Sequence, residues 1–144
     1  MMPPAARFLI GLLAVVLLAW LYHGPLGNGA RYIDRLDAEA RQAVAAGELP
    51  GIHVELQRRP LARVATLSGP ADEFQRYGMG SQKGLTQMVG DVGGIGRVVW
   101  ADRPHGGLVI PLLAEGIALS MLGYLIGLGI AWLVWGRERR QGYA

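Results

Sequence analysis

The chain alternates between stretches without charge and stretches in which charge is regularly spaced. Residues 8–22 (FLIGLLAVVLLAWLY) and 116–135 (GIALSMLGYLIGLGIAWLVW) contain no formally charged side chain. A helix needs about 20 apolar residues, rising 1.5 Å each, to cross roughly 30 Å of hydrocarbon. The second stretch meets that length alone, and the first meets it when residues 4–6 or His23 lie in the interface. The rival reading of the first stretch is a cleaved signal peptide with Arg7 as its basic start. Trp20, Tyr22 and His23 stand where the small residues of a cleavage site belong, which favours an uncleaved anchor.

Between these stretches the pattern becomes that of a soluble domain. Ile33, Leu36, Ala40 and Val44 recur three or four apart among Asp34, Arg35, Asp37, Glu39 and Arg41, which predicts an amphipathic helix over 31–46, stopped by Gly47 and Pro50-Gly51. Residues 52–57 alternate apolar and polar, the period of a half-buried strand. Arg58-Arg59-Pro60 makes a turn, and 61–68 forms a second strand with Ala65 and Leu67 facing inward. Gly69-Pro70-Ala71-Asp72-Glu73 opens a helix that Gly78 and Gly80 interrupt. Ser81 then caps a second piece running to about Gly90, with Phe74, Leu85, Met88, Val89 and Val92 on the core face. Arg97-Val98-Val99-Trp100 is a third strand, and Leu56, Leu67, Val89 and Val99 are expected to be buried together. The fold class is therefore α+β, a small α-β-β-α-β domain between two transmembrane α-helices. Its divisions are a first transmembrane helix over 1–23, a linker over 24–30, the domain over 31–103, a second transmembrane helix over 108–136 and a tail over 137–144.

Charge decides how this arrangement lies in a membrane. Arg7 precedes the first span and Arg137, Arg139 and Arg140 follow the second, so the positive-inside rule puts both termini in the cytoplasm and the domain on the periplasmic side of a bacterial inner membrane. Trp20, Tyr22, Trp132 and Trp135 mark the interfaces, where amphipathic rings collect. Residues 24–107 hold ten Lys or Arg against nine Asp or Glu, so this stretch is nearly neutral, most of the net charge of +3 comes from the arginines near the chain ends, and there is no basic surface for nucleic acid. The 51% hydrophobic and 17% charged composition follows from the two spans. The chain has no cysteine, which excludes disulfides and thiolate metal sites.

Ala65-Thr66-Leu67-Ser68-Gly69 and Val92-Gly93-Gly94-Ile95-Gly96-Arg97-Val98-Val99-Trp100, taken with the element order, resemble a BON domain, the small lipid-associated module of bacterial envelope proteins. The resemblance covers roughly residues 31–102 and implies association with phospholipid or other envelope components. It departs from the family between Asp72 and Gly84, where three glycines stand in place of a cleaner helix.

No nucleophile, acid/base pair or metal-ligand spacing forms a recognisable catalytic constellation, so the chain reads as non-enzymatic, without cofactor or metal. His23, His53 and His105 are far apart in sequence. The glycine run 90–96 follows a helix and leads into a strand, the reverse of a phosphate loop, and lacks its lysine. Glu115 sits at the outer end of the second span, where an ionisable group is either interfacial or functional. Gly116, Ser120, Gly123, Gly127 and Ala131 form a small-residue stripe suited to close helix packing, against the first span or against a partner. Arg58, Arg59 and Arg63 gather at the hairpin turn, as a solvated turn or as a contact for anionic headgroups or an acidic partner. Two functions follow as expectations. The first is an accessory or structural subunit of a larger membrane complex, with lipids and other integral membrane subunits as partners; the second is a stand-alone membrane-anchored module that binds phospholipid or other envelope components.

Overall fold

The structure, a computed structural model, describes residues 3–103 and 107–135. His105 and the arginines at 137, 139 and 140 lie outside the described residues. Contacts divide the chain into two units, one made of the terminal helices and the other of residues 27–112.

Helices α1 (Pro4–His23) and α5 (Leu112–Trp135) are both long and apolar enough to cross a membrane. The second begins at Leu112 and not at 108, because Pro111 disfavours helical backbone at the residue before it. Among the described residues neither helix contains a buried one, as expected of apolar surface that faces lipid and not a protein core.

The central unit opens with α2 (Asn28–Ala46), whose Ile33, Leu36, Ala40 and Val44 are all buried. Three strands follow in one sheet. β1 (His53–Arg58) pairs antiparallel with β2 (Leu61–Ser68), and β2 pairs parallel with β5 (Arg97–Trp100), in the order β1-β2-β5. Ala65 and Leu67 face inward and are fully buried. Helix α4 (Leu85–Gly90) contributes Leu85 and Val89, four residues apart on one face. These residues join Val54, Leu56 and Trp100 in a single core.

Two expectations need correction. Val99 is only half-buried and lies outside the core, while Val98 packs against it and Trp100 is 2% exposed. The parallel register sets this phase: Ala65 stands opposite Val98 and Leu67 opposite Trp100, so the inward residues of β2 fix the inward residues of β5.

Residues 72–84 also differ from an interrupted helix. A short α3 (Glu73–Tyr77) is capped by Asp72, whose side chain accepts from the Gln75 backbone N–H while Gln75 accepts from the Asp72 N–H. A hairpin, β3 (Gly78–Met79) with β4 (Gln82–Lys83), then replaces the helical piece that Ser81 was expected to cap; Gly84 caps α4 instead. Glycine is required at both ends of this hairpin. A Cβ at Gly78 would fall 2.2 Å from the Gln82 carbonyl oxygen, and one at Gly84 2.3 Å from the Gly78 nitrogen. Phe74, assigned to the core by periodicity, is exposed on this excursion, and Met79 at its tip is 72% exposed.

Candidate functional site

The three arginines of the hairpin turn do not form one patch. Arg58 donates to the Asp34 carboxylate at 2.7 Å, and that hydrogen bond, with the attraction of the same carboxylate, raises its pKa further. Arg63 turns the other way, donating to the Gly94 carbonyl at 3.2 Å, while the Arg63 carbonyl accepts from the Gly96 N–H at 2.8 Å. Arg63 thereby ties β2 to the glycine loop ahead of β5. Arg59 is exposed.

Asp37, which periodicity did not single out, is the buried charged residue of the domain, at 6% exposure. A buried carboxylate is costly unless paired and hydrogen-bonded. Asp37 is both: it accepts the Leu56 backbone N–H at 3.1 Å and pairs with Arg41 at 2.7 Å. Leu56 lies on β1, an edge strand, and its N–H points away from β2. The Asp37 carboxylate therefore stands where the carbonyl of a fourth strand would be, and blocks the edge at that point.

A second polar cluster fixes the end of β5. Arg76, its side chain only 11% exposed, lies 4.3 Å over the Trp100 ring and donates twice to Asp102, at 2.9 and 2.7 Å. Its Nε donates to the Ala71 carbonyl at 2.8 Å, and the Trp100 indole donates to Thr86 at 3.0 Å. The hydrogen bonds from Arg76 hold the Asp102 carboxyl below its ordinary pKa. Arg103 pairs with Glu73, which raises the arginine's pKa, and Lys83 pairs with Asp91 at 2.5 Å. Among the described residues no group of His, Cys, Asp or Glu is placed to hold a metal ion.

In the terminal unit, the two helices meet through residues that composition does not mark. The Tyr124 hydroxyl donates to the Phe8 carbonyl at 3.2 Å, and the two rings lie 5.9 Å apart. Gly11 makes this approach possible, since a Cβ there would fall 2.2 Å from the Tyr124 oxygen. The small-residue stripe lies elsewhere on α5. Side chains built on Gly116, Gly123 or Gly127 would meet no described atom within 4 Å, and at about 100° per residue these glycines lie roughly a quarter turn from Tyr124. Ser120 and Ala131 are half-buried while the three glycines are exposed, so the five residues do not share one environment. Glu115 is half-buried in the first turn of α5.

Compared with known protein families, with curated proteins and with solved structures, the chain matches none.

Proposed function

We propose that the chain is a non-enzymatic accessory subunit of a larger inner-membrane complex, holding its BON-like domain on the periplasmic side with both termini in the cytoplasm. The observation that carries this reading is the open glycine face of α5. The contact with α1 is made through Tyr124 and Gly11, and Gly116, Gly123 and Gly127 lie roughly a quarter turn to its side, facing open space. In lipid, where hydrophobicity does not drive helices together, such a face is what allows a neighbouring backbone to come close enough for van der Waals attraction. The alternative, a stand-alone lipid-binding module, draws on the arginines of the turn, but Arg58 and Arg63 are engaged within the domain.

Purification in mild detergent tests the proposal. The wild-type chain should migrate with stoichiometric membrane partners, and Gly123→Ile or Gly127→Ile should release them while insertion persists. Partners retained at wild-type yield in both variants would remove this helix face from the contact. The orientation has its own test: alkaline phosphatase fused after Asp102 should be active and fused at Ala144 inactive, and the reverse pattern would overturn it.

A further inference from the structure

A groove of about 760 Å³ lies where α2 ends and β1 begins. Its lining includes Val44, Leu49, Ile52 and Val54 as floor and Glu48 and Glu55 as acidic rim. Three independent features converge there.

The first is an open strand edge. Backbone groups on an antiparallel strand alternate between facing the partner strand and facing away. The Leu56 N–H faces away from β2, to Asp37, so the N–H and carbonyl of Val54, two residues earlier, face away as well. Asp37 occupies the edge at Leu56 and leaves Val54 beside the groove.

The second is Glu48. It is the one non-glycine residue with positive φ, +52°, among the described residues. It follows the last turn of α2, after Gly47, whose own backbone stays right-handed. A left-handed residue at a helix end is ordinarily glycine or asparagine. Glutamate there is strained and sets a negative charge beside the negative end of the helix dipole. Local stability is thus sacrificed at a position on the rim of a groove, which is where function is expected to override it.

The third is charge. Arg41, the arginine of the lining, is engaged by Asp37, which leaves Glu48 and Glu55, the latter also within the field of Arg58, as the acidic groups of a lining that includes His53.

We propose that this groove binds an extended segment of a partner polypeptide that carries Lys or Arg, adding to the β1 edge at Val54 and placing its cation against Glu48 and Glu55. Strand addition supplies main-chain hydrogen bonds, and the alternate side chains of the added segment enter the apolar floor. The inference rests on the subunit reading and names the partner surface that such a subunit would recognise.

The test uses the full chain in detergent and a fluorescein-labelled amide of sequence Val-Lys-Val-Arg-Val, read by anisotropy. Its acidic counterpart, with Glu in place of Lys and Arg, should not bind. Two N-methylated forms, each blocking one set of alternate amides, should differ, because pairing with one edge uses only one set. Glu48→Gln should weaken binding about fivefold, the worth of an exposed ion pair at the upper end of its range. Glu39→Gln, an exposed carboxylate outside the groove, should leave it unchanged. Glu48→Gly should weaken binding and raise the melting temperature of the domain, since glycine relieves the left-handed backbone. The proposal is overturned if the cationic peptide fails to bind at 1 mM, if the acidic peptide binds equally, if both N-methylated forms bind alike, or if Glu48→Gly stabilises without loss of affinity. Failed peptide binding while membrane partners still co-purify removes the groove alone; absence of any co-purifying partner removes the subunit reading itself.

Discussion

The two units of this chain are held together by different physics. In residues 27–112, apolar side chains from α2, β1, β2, α4 and β5 close around one another until Ile33, Ala40, Ala65, Leu67 and Val89 lose all exposure. Among the described residues the terminal helices bury no side chain fully, and they meet where Tyr124 lies against Gly11, the Phe8 ring and the Phe8 carbonyl. Water drives the first arrangement because burial removes apolar area from it, while a membrane, which α1 and α5 are long and apolar enough to cross, would give them no such incentive. A single side chain should therefore matter to the domain through its volume, and to the spans through its point of contact.

The largest effect should come from the core. Leu67→Ala removes a fully buried side chain from the central strand and should cost about 2–5 kcal/mol, a large share of the roughly 5–15 kcal/mol that holds a typical domain. Thermal unfolding of the full chain in detergent, followed by circular dichroism, should show an earlier domain transition with the span helices intact; an unchanged melting temperature would refute the inward phase of β2. Asp37→Ala should cost about 1–3 kcal/mol by leaving the Leu56 N–H buried without an acceptor, and Asp37→Asn should recover most of the loss. Equal melting of the Ala and Asn variants would show that the carboxylate oxygen does not serve the edge.

The spans should respond to shape. Gly11→Ile puts a side chain into the space of the Tyr124 hydroxyl, so α1 and α5 must part while the domain melts as before. Spin labels on cysteines introduced at Leu9 and Leu125, in a chain with none of its own, should report a longer distance. Tyr124→Phe deletes only the hydrogen bond to the Phe8 carbonyl and should cost about 0.6 kcal/mol, the average for such bonds within membranes. A larger loss would mean that the spans depend on polar contact more than their composition implies.

The smallest effect concerns acid. Asp102 has its pKa lowered by Arg76, so its stabilising contribution is present above its unfolded pKa of about 3.9 and is lost as pH falls through the lower folded value. Acid unfolding below about pH 4 should be slightly shallower in Asp102→Asn than in wild type, and parallel curves would remove the pair from the pH response.

Where periodicity is strong, the sequence reading and the structure agree. The strand over Leu61–Ser68 has its expected limits, and Ile33, Leu36, Ala40 and Val44 occupy the buried face of α2. The run Val98-Val99-Trp100 has no alternation to read, and only pairing with β2 reveals which residues turn inward. The glycines of 78–84 announce an interruption, but whether the chain then resumes a helix or folds back as a hairpin depends on long-range backbone approaches, close enough that a Cβ at Gly78 or Gly84 would collide, that no local pattern encodes. Gly11 was illegible for a related reason: in an unbroken apolar run it is one small residue among many, and its importance comes from Tyr124, over a hundred positions away. The charged residues of the turn follow a different logic. Arg58, Arg59 and Arg63 are close in sequence, but Arg58 ends β1, Arg59 lies in the turn and Arg63 is on β2, and Arg58 and Arg63 find separate partners.

The strand order β1-β2-β5 also bears on how the protein is made. A chain synthesised from its N-terminus completes the β1–β2 hairpin while the far side of β2 still lacks its neighbour. That edge stays open until Arg97–Trp100 has been added, and α5 begins at Leu112, twelve residues after Trp100. Closing the sheet and emergence of the second long apolar helix thus fall within the same short interval of synthesis, so a nascent chain interrupted before Arg97 would carry both an unpaired strand and an unfinished core.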